Sequence, residues 1–159
     1  MIKSNAFKLV TSLVVCQLAG ALGSIFTTNA INGWYAELAK PNLVPPNWIF
    51  APVWITLYVL MGLALYLVWK NQVISKEERC LSICLFGAQL LLNLLWSIIF
   101  FGLYQLGAAL IEIIVLILTV LWTMLAFYKI SRPATWLLLP YLLWLSFAAY
   151  LNYAIWMLN

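Results

Sequence analysis

Charged residues divide this chain into long apolar runs. Leu9–Ala36 carries no charge, Asn42–Trp69 carries none, and Cys80–Tyr128 holds only Glu112. Pro133–Asn159 is charge-free again. A membrane-spanning helix needs about 20 apolar residues. The Cys80–Tyr128 run would be about 73 Å long as a single helix at 1.5 Å per residue, roughly twice what a bilayer holds, so it crosses twice. Its break falls at Gly102-Leu103-Tyr104-Gln105-Leu106-Gly107, where two glycines bracket a short polar turn. The pattern predicts five helices, near 6–28, 46–70, 79–101, 105–128 and 133–156, with a long loop near 29–45. Pro45-Pro46 opens the second helix, Ser75-Lys76-Glu77-Glu78 caps the third, and Pro133 opens the fifth. Pro140 lies inside the fifth helix and cannot donate to the carbonyl one turn back, which predicts a kink.

Composition agrees with a membrane and excludes much else. Of 159 residues, 67% are hydrophobic and 8% charged, against about 45–50% and about 25% in soluble domains. The fold class is therefore an all-α integral membrane protein, a five-transmembrane-helix bundle forming one domain over residues 1–159. The chain has no His and no Asp. That removes Ser-His-Asp and Cys-His catalysis, HExxH zinc sites and His-ligated haem. Cys16, Cys80 and Cys84 read as small apolar helix residues, not as metal ligands. No metal and no nucleic-acid partner is expected.

Five crossings put the termini on opposite sides. Lys3, Lys8, Lys70, Lys76, Arg79, Lys129 and Arg132 then share the N-terminal side, and Lys40 stands alone on the other. The positive-inside rule makes the N-terminus cytoplasmic and the C-terminus external in a bacterial plasma membrane. A mitochondrial outer membrane is the alternative, and there the charge rule weighs less.

The tryptophans fall into two groups. Trp34, Trp48, Trp69, Trp136 and Trp156 fit interfacial belts, and Trp122 nearly does. Trp54, Trp96 and Trp144 lie deeper, Trp54 and Trp96 about 8–10 Å below the surface on the loop side by helical rise. Helical spacing gathers Gln89, Asn93 and Trp96 on one face, Trp54, Tyr58 and Met61 on another, and Tyr141, Trp144, Ala148 and Asn152 on a third. The first helix supplies small residues, Ala19, Gly20, Ala21, Gly23 and Ser24. Two arrangements fit. One is a small-molecule pocket with apolar walls and a few amides, under a loop that folds down as a lid. The other is a packed core in which Asn93 and Gln89 tie helices together. Glu112, the only acid within a span, is either functional or a carboxylate capped or paired near the surface with Lys40. A capped or paired carboxylate is the simpler reading, because proton coupling needs several ionisable groups in series. Cys80, Cys84 and Ala88 form a small-residue stripe that suits either helix dimerisation or ordinary packing.

Trp34–Trp54 (WYAELAKPNLVPPNWIFAPVW), Gln89–Gly102 (QLLLNLLWSIIFFG) and Leu139–Asn152 (LPYLLWLSFAAYLN) carry a resemblance. These blocks are similar to the translocator protein / tryptophan-rich sensory protein family (TspO/MBR), from about Trp34 to the C-terminus. The resemblance implies a five-helix bundle, often a homodimer in membrane lipid, with a pocket under the first loop. It implies a receptor or sensor for porphyrin-type tetrapyrroles such as protoporphyrin IX, with a regulatory or translocation role in tetrapyrrole metabolism or stress. No cofactor is obligatory. The implied ligand-binding residues are Trp34, Tyr35, Pro45, Pro46, Trp54, Tyr58, Asn93, Trp96, Tyr141 and Trp144. If the protein degrades porphyrin in light, Trp54 and Trp144 are the residues to connect with that chemistry. The absence of His favours a metal-free porphyrin. Mitochondrial members bind cholesterol through a pattern that needs a basic residue after its Tyr, and nothing basic follows Arg132, so cholesterol handling is doubtful. A lipid- or sterol-binding transporter and a scaffold for other membrane proteins are the remaining alternatives. Five spans do not divide into two repeats, which weighs against a transporter.

Overall fold

The computed structural model describes residues 2–159, with side chains from Asn5 onward; the Lys3 side chain in the charge count lies outside them. Among the described residues, five helices are long and apolar enough to cross a membrane. They are α1 (Ile2–Ile31), α3 (Asn47–Lys70), α4 (Lys76–Ser97), α5 (Leu106–Ile130) and α6 (Arg132–Leu158), with a short α2 (Trp34–Glu37) inside the first loop. The loop is thus shorter than its sequence predicts, because α1 continues to Ile31 and α2 folds within it. A π turn over Ile98–Gly102 extends α4 to the tight connection with α5. Tyr104 in that connection has φ 58°, a left-handed conformation costly for a side chain of its size.

The helix starts follow from local chemistry. Ser75 accepts the Glu78 amide at 3.1 Å, an N-cap at the start of α4, and its hydroxyl donates to the Glu78 carboxylate at 3.2 Å. The helix begins at Lys76, three residues before the predicted start. Pro133 occupies the first turn of α6, where no intrahelical donor is lost. Both α3 and α6 continue through internal prolines, Pro52 and Pro140.

Around the bundle the order is α1, α3, α6, α5, α4, and α4 closes the ring against α1. Met61, Ala64, Val68, Phe86, Ile113, Leu116, Phe127, Leu138 and Leu145 fill its centre. Phe86 and Phe127 stack nearly parallel, 5.8 Å apart and at 10°. At the end opposite the long loop the basic residues collect. Lys8 reaches the Trp69 carbonyl at 3.4 Å, and Arg79 reaches that of Asn71 at 2.7 Å. Asn71 in turn donates to Ile130 at 2.9 Å, joining the ends of α3 and α5. This is the basic end; the opposite one is the loop end. Gly62 lets α1 and α3 approach closely near the basic end, for a Cβ there would lie 3.0 Å from Leu13 Cα and 3.1 Å from the Ser12 carbonyl.

Candidate functional site: an aromatic cavity beneath the first loop

The loop-end half of the ring encloses a cavity of about 550 Å³, within the range of small-molecule sites. Four spans and the lid line it, and α5 takes no part. From α3 come Phe50, Trp54 and Tyr58, one turn apart on a single face. From α4 and its π turn come Asn93, Trp96, Ser97 and Phe100. From α6 come Trp144, Ala148, Asn152 and Ile155. α1 contributes a ladder of small and hydroxyl residues, Gly20, Gly23, Ser24, Thr27 and Thr28. The room exists because these side chains are small. A Cβ on Gly20 would fall within 2.5 Å of Tyr58 ring atoms, and one on Gly23 would meet Ser97 Oγ at 3.2 Å.

At the base of the cavity, Asn93 joins two tyrosines. Tyr58 donates to Asn93 Oδ1 at 2.5 Å, and Asn93 Nδ2 donates to the Tyr141 hydroxyl at 3.0 Å. This ties α3, α4 and α6 at one point. Higher up, Trp96 Nε1 donates to Asn152 Oδ1 at 3.2 Å, and Asn152 Nδ2 donates to the Leu106 carbonyl at 2.8 Å. The polar groups that line the cavity are therefore largely engaged with each other. None of the lining residues is charged. What the walls offer a ligand is mainly aromatic surface. Trp54 stacks on Tyr58 at 5.6 Å and 29°, and Trp144 meets Phe50 edge-on at 6.0 Å.

Tyr35 of α2 closes the top and is buried beside Phe100 and Phe101, at 6.2 and 5.6 Å. Burial raises its phenol above the ordinary tyrosine pKa, so it stays neutral. Lys40 folds back over this ring, 4.8 Å from its centroid, and donates to the Ala36 and Leu38 carbonyls.

The ten residues named from the sequence thus separate. Tyr35, Trp54, Tyr58, Asn93, Trp96 and Trp144 line the cavity. Tyr141 is fully buried below it, held by Asn93 and edge-on to Trp54. Trp34 lies on the outer side of the lid against Tyr104, at 4.5 Å, and Phe100, at 6.0 Å. Pro45 and Pro46 lead into α3, where the Pro46 carbonyl accepts the Ile49 amide at 3.0 Å. Gln89 and Met61 are buried away from the cavity. Glu112 is a correction. Its carboxyl is buried and makes no hydrogen bond among the described residues, and the pairing with Lys40 does not form because Lys40 caps the lid.

Sequence reasoning passed over Phe50, Thr27, Thr28 and Phe100. Each was within reach of helical spacing. Phe50 is one turn before Trp54, Phe100 is one turn after Trp96, and Thr27 and Thr28 prolong the small-residue face of α1.

A five-span helical membrane protein with an uncharged, aromatic-walled cavity at one end of its bundle is the class that this fold and site define. Within that class, residues 12–157 match the model of the TspO/MBR family, and the chain belongs to this family. It is 44% identical over 155 residues to the tryptophan-rich protein TspO of Archaeoglobus fulgidus, covering 98% of this chain and 99% of that one. It is 42% identical over 143 residues to the translocator protein of Bos taurus, covering 90% and 85%. It is 37% identical over 150 residues to the tryptophan-rich sensory protein of Cereibacter sphaeroides, covering 94% and 90%.

Proposed function

We propose that this member of the family is a membrane receptor or sensor that holds a porphyrin-type tetrapyrrole in the aromatic cavity, and that occupancy serves a regulatory or translocation role. The observation that carries the reading is the fate of the three deep tryptophans. Trp54, Trp96 and Trp144 all line the cavity, whereas Trp48, Trp122, Trp136 and Trp156 are exposed as belt residues. Three indoles, three phenylalanines, Tyr35 and Tyr58 around about 550 Å³ suit a flat conjugated ring held by stacking. The lack of charged lining residues and of His favours a metal-free macrocycle with its anionic substituents outside the cavity. The basic end faces the cytoplasm in this reading, by the charge bias of the loops.

The test is a dark titration of the purified protein in detergent with protoporphyrin IX, followed by tryptophan quenching. Saturable quenching that weakens in Trp54→Phe, Trp144→Phe and Asn93→Ala, and not in Trp69→Phe, supports the reading. Non-saturable quenching, or quenching equal in all variants, refutes it.

A second reading, light- and oxygen-dependent degradation of the bound porphyrin, draws on one observation. Both Trp54 and Trp144 face the cavity, where their indoles would lie against the macrocycle. Illumination of the complex in air separates the two readings. Porphyrin loss that depends on Trp54 and Trp144 favours degradation, and loss no faster than for free porphyrin favours the receptor.

A further inference from the structure

Every seam of the cavity except one is closed by a named contact. Phe50 against Trp144 shuts the seam between α3 and α6. Trp96 bonded to Asn152 shuts that between α4 and α6. Gly23 against Ser97, and Phe26 against Gly102, shut that between α1 and α4. The lid covers the top with Tyr35, and Asn159 at the end of α6 bonds the backbone of Ala39 at 3.0 and 3.1 Å. The remaining seam lies between the loop-end halves of α1 and α3.

Its residues behave differently from all the others. Ala21, Ser24 and Thr28 on α1, and Asn47, Ala51 and Ile55 on α3, line the cavity and are at the same time exposed. No lining residue of α2, α4 or α6 is exposed. Toward the basic end the gap ends where Gln17 Nε2 donates to the Ile55 carbonyl at 3.1 Å, and beyond this Gly62 brings the two helices into backbone contact. The opening therefore faces sideways, at the level of the spans, and it is framed by short side chains.

We infer that the α1–α3 gap is the passage through which the cavity takes its ligand directly from the bilayer, while the lid stays shut. The inference rests on the receptor reading for the identity of the ligand, but the passage itself does not. A flat amphiphile dissolved among the lipid chains slides in edge-first between Ala21 and Ala51. Its charged substituents remain at the mouth, since nothing charged lines the interior to receive them. Aqueous access through the lid would instead require the Asn159–Ala39 bonds and the Tyr35 packing to break.

The experiment uses the full chain in phosphatidylcholine vesicles with protoporphyrin IX supplied from the lipid. Stopped-flow quenching is read for wild type, Ala21→Leu with Ala51→Leu, and Asn159→Ala. Narrowing the gap raises one barrier crossed in both directions, so association and dissociation both slow by about tenfold in the double variant and the dissociation constant moves much less. Asn159→Ala leaves both rates as in wild type. Faster association in Asn159→Ala, or unaltered rates in the double variant, overturns the passage. If wild type shows no saturable quenching, the receptor reading fails and a second measurement decides the passage. Vesicles are doped with a phospholipid bearing a diazirine at its acyl terminus, photolysed, and the adducts mapped by mass spectrometry. Adducts on Trp54 or Trp144 that fall in the double variant support an open passage. Adducts confined to outward residues such as Val14 and Leu18 overturn it.

Discussion

Asn159 holds Ala39 by both ends of its side-chain amide. Oδ1 accepts the Ala39 amide at 3.0 Å, Nδ2 donates to the Ala39 carbonyl at 3.1 Å, and Nδ2 also reaches Ile155 in its own helix at 2.7 Å. The end of α6 thereby pins the far side of the lid, whose near side is pinned by Trp34 on Tyr104.

Asn159→Ala removes both bonds to the loop. Each is worth about 0.5–1.5 kcal/mol, and less here because the site is exposed. The lid then opens more often, without loss of the bundle. Hydrogen exchange should rise several-fold across residues 34–40 and stay unchanged in α5. Equal exchange in the variant and wild type would show that the clasp does not hold the lid.

Asn93 ties α3, α4 and α6 at one point, so its loss strands two hydroxyls. In Asn93→Ala, Tyr58 and Tyr141 lose their common partner in a buried position, and a stranded buried group costs about 1–3 kcal/mol. Tyr58→Phe removes a donor and leaves Asn93 bonded to Tyr141, so it costs less. Thermal unfolding in detergent should rank wild type, then Tyr58→Phe, then Asn93→Ala. The reverse order of the two variants would mean that the Asn93–Tyr141 bond contributes little.

The spans were legible because charge spacing and bilayer thickness leave few solutions for this chain. The stripes Asn93–Trp96 and Trp54–Tyr58 were legible because a regular helix fixes which residues share a face. Tyr141 shows the limit of that logic. It shares a face with Trp144 and Asn152, yet it lies a turn too deep and meets Asn93 instead of open space. The Trp34–Tyr104 and Asn159–Ala39 contacts were not legible, since each joins segments far apart in sequence through loop geometry. The π turn at Ile98–Gly102 has no periodic signature, although it aims Phe100 and Phe101 at the lid.

Gly62 sets how close α1 and α3 lie below the passage. A Cβ there meets backbone, Leu13 Cα at 3.0 Å and the Ser12 carbonyl at 3.1 Å, as well as Leu13 Cδ2 at 2.9 Å. Backbone cannot swing aside, so Gly62→Ala pushes the helices apart and costs about 1–3 kcal/mol. Gly87→Ala is the control, with open space around its Cβ. A lower melting temperature for Gly62→Ala alone is the expected result, and equal values for both would refute the close approach.

Glu112 is buried on α5 with both carboxyl oxygens unpartnered among the described residues. Such a group costs stability in either protonation state, because a neutral acid still forfeits its hydrogen bonds and an anion forfeits far more. Replacement by an apolar side chain of similar size removes that cost and leaves no other polar atom stranded. Glu112→Leu should therefore melt at the same temperature as wild type or higher, whereas Asn93→Leu, which orphans Tyr58 and Tyr141, should melt lower. The contrast separates a polar residue that ties helices from one that does not. If Glu112→Leu retains the fold but abolishes saturable porphyrin quenching, the carboxyl serves the ligand from outside the cavity wall. Destabilisation of Glu112→Leu by as much as Asn93→Leu would instead assign the carboxyl a structural partner.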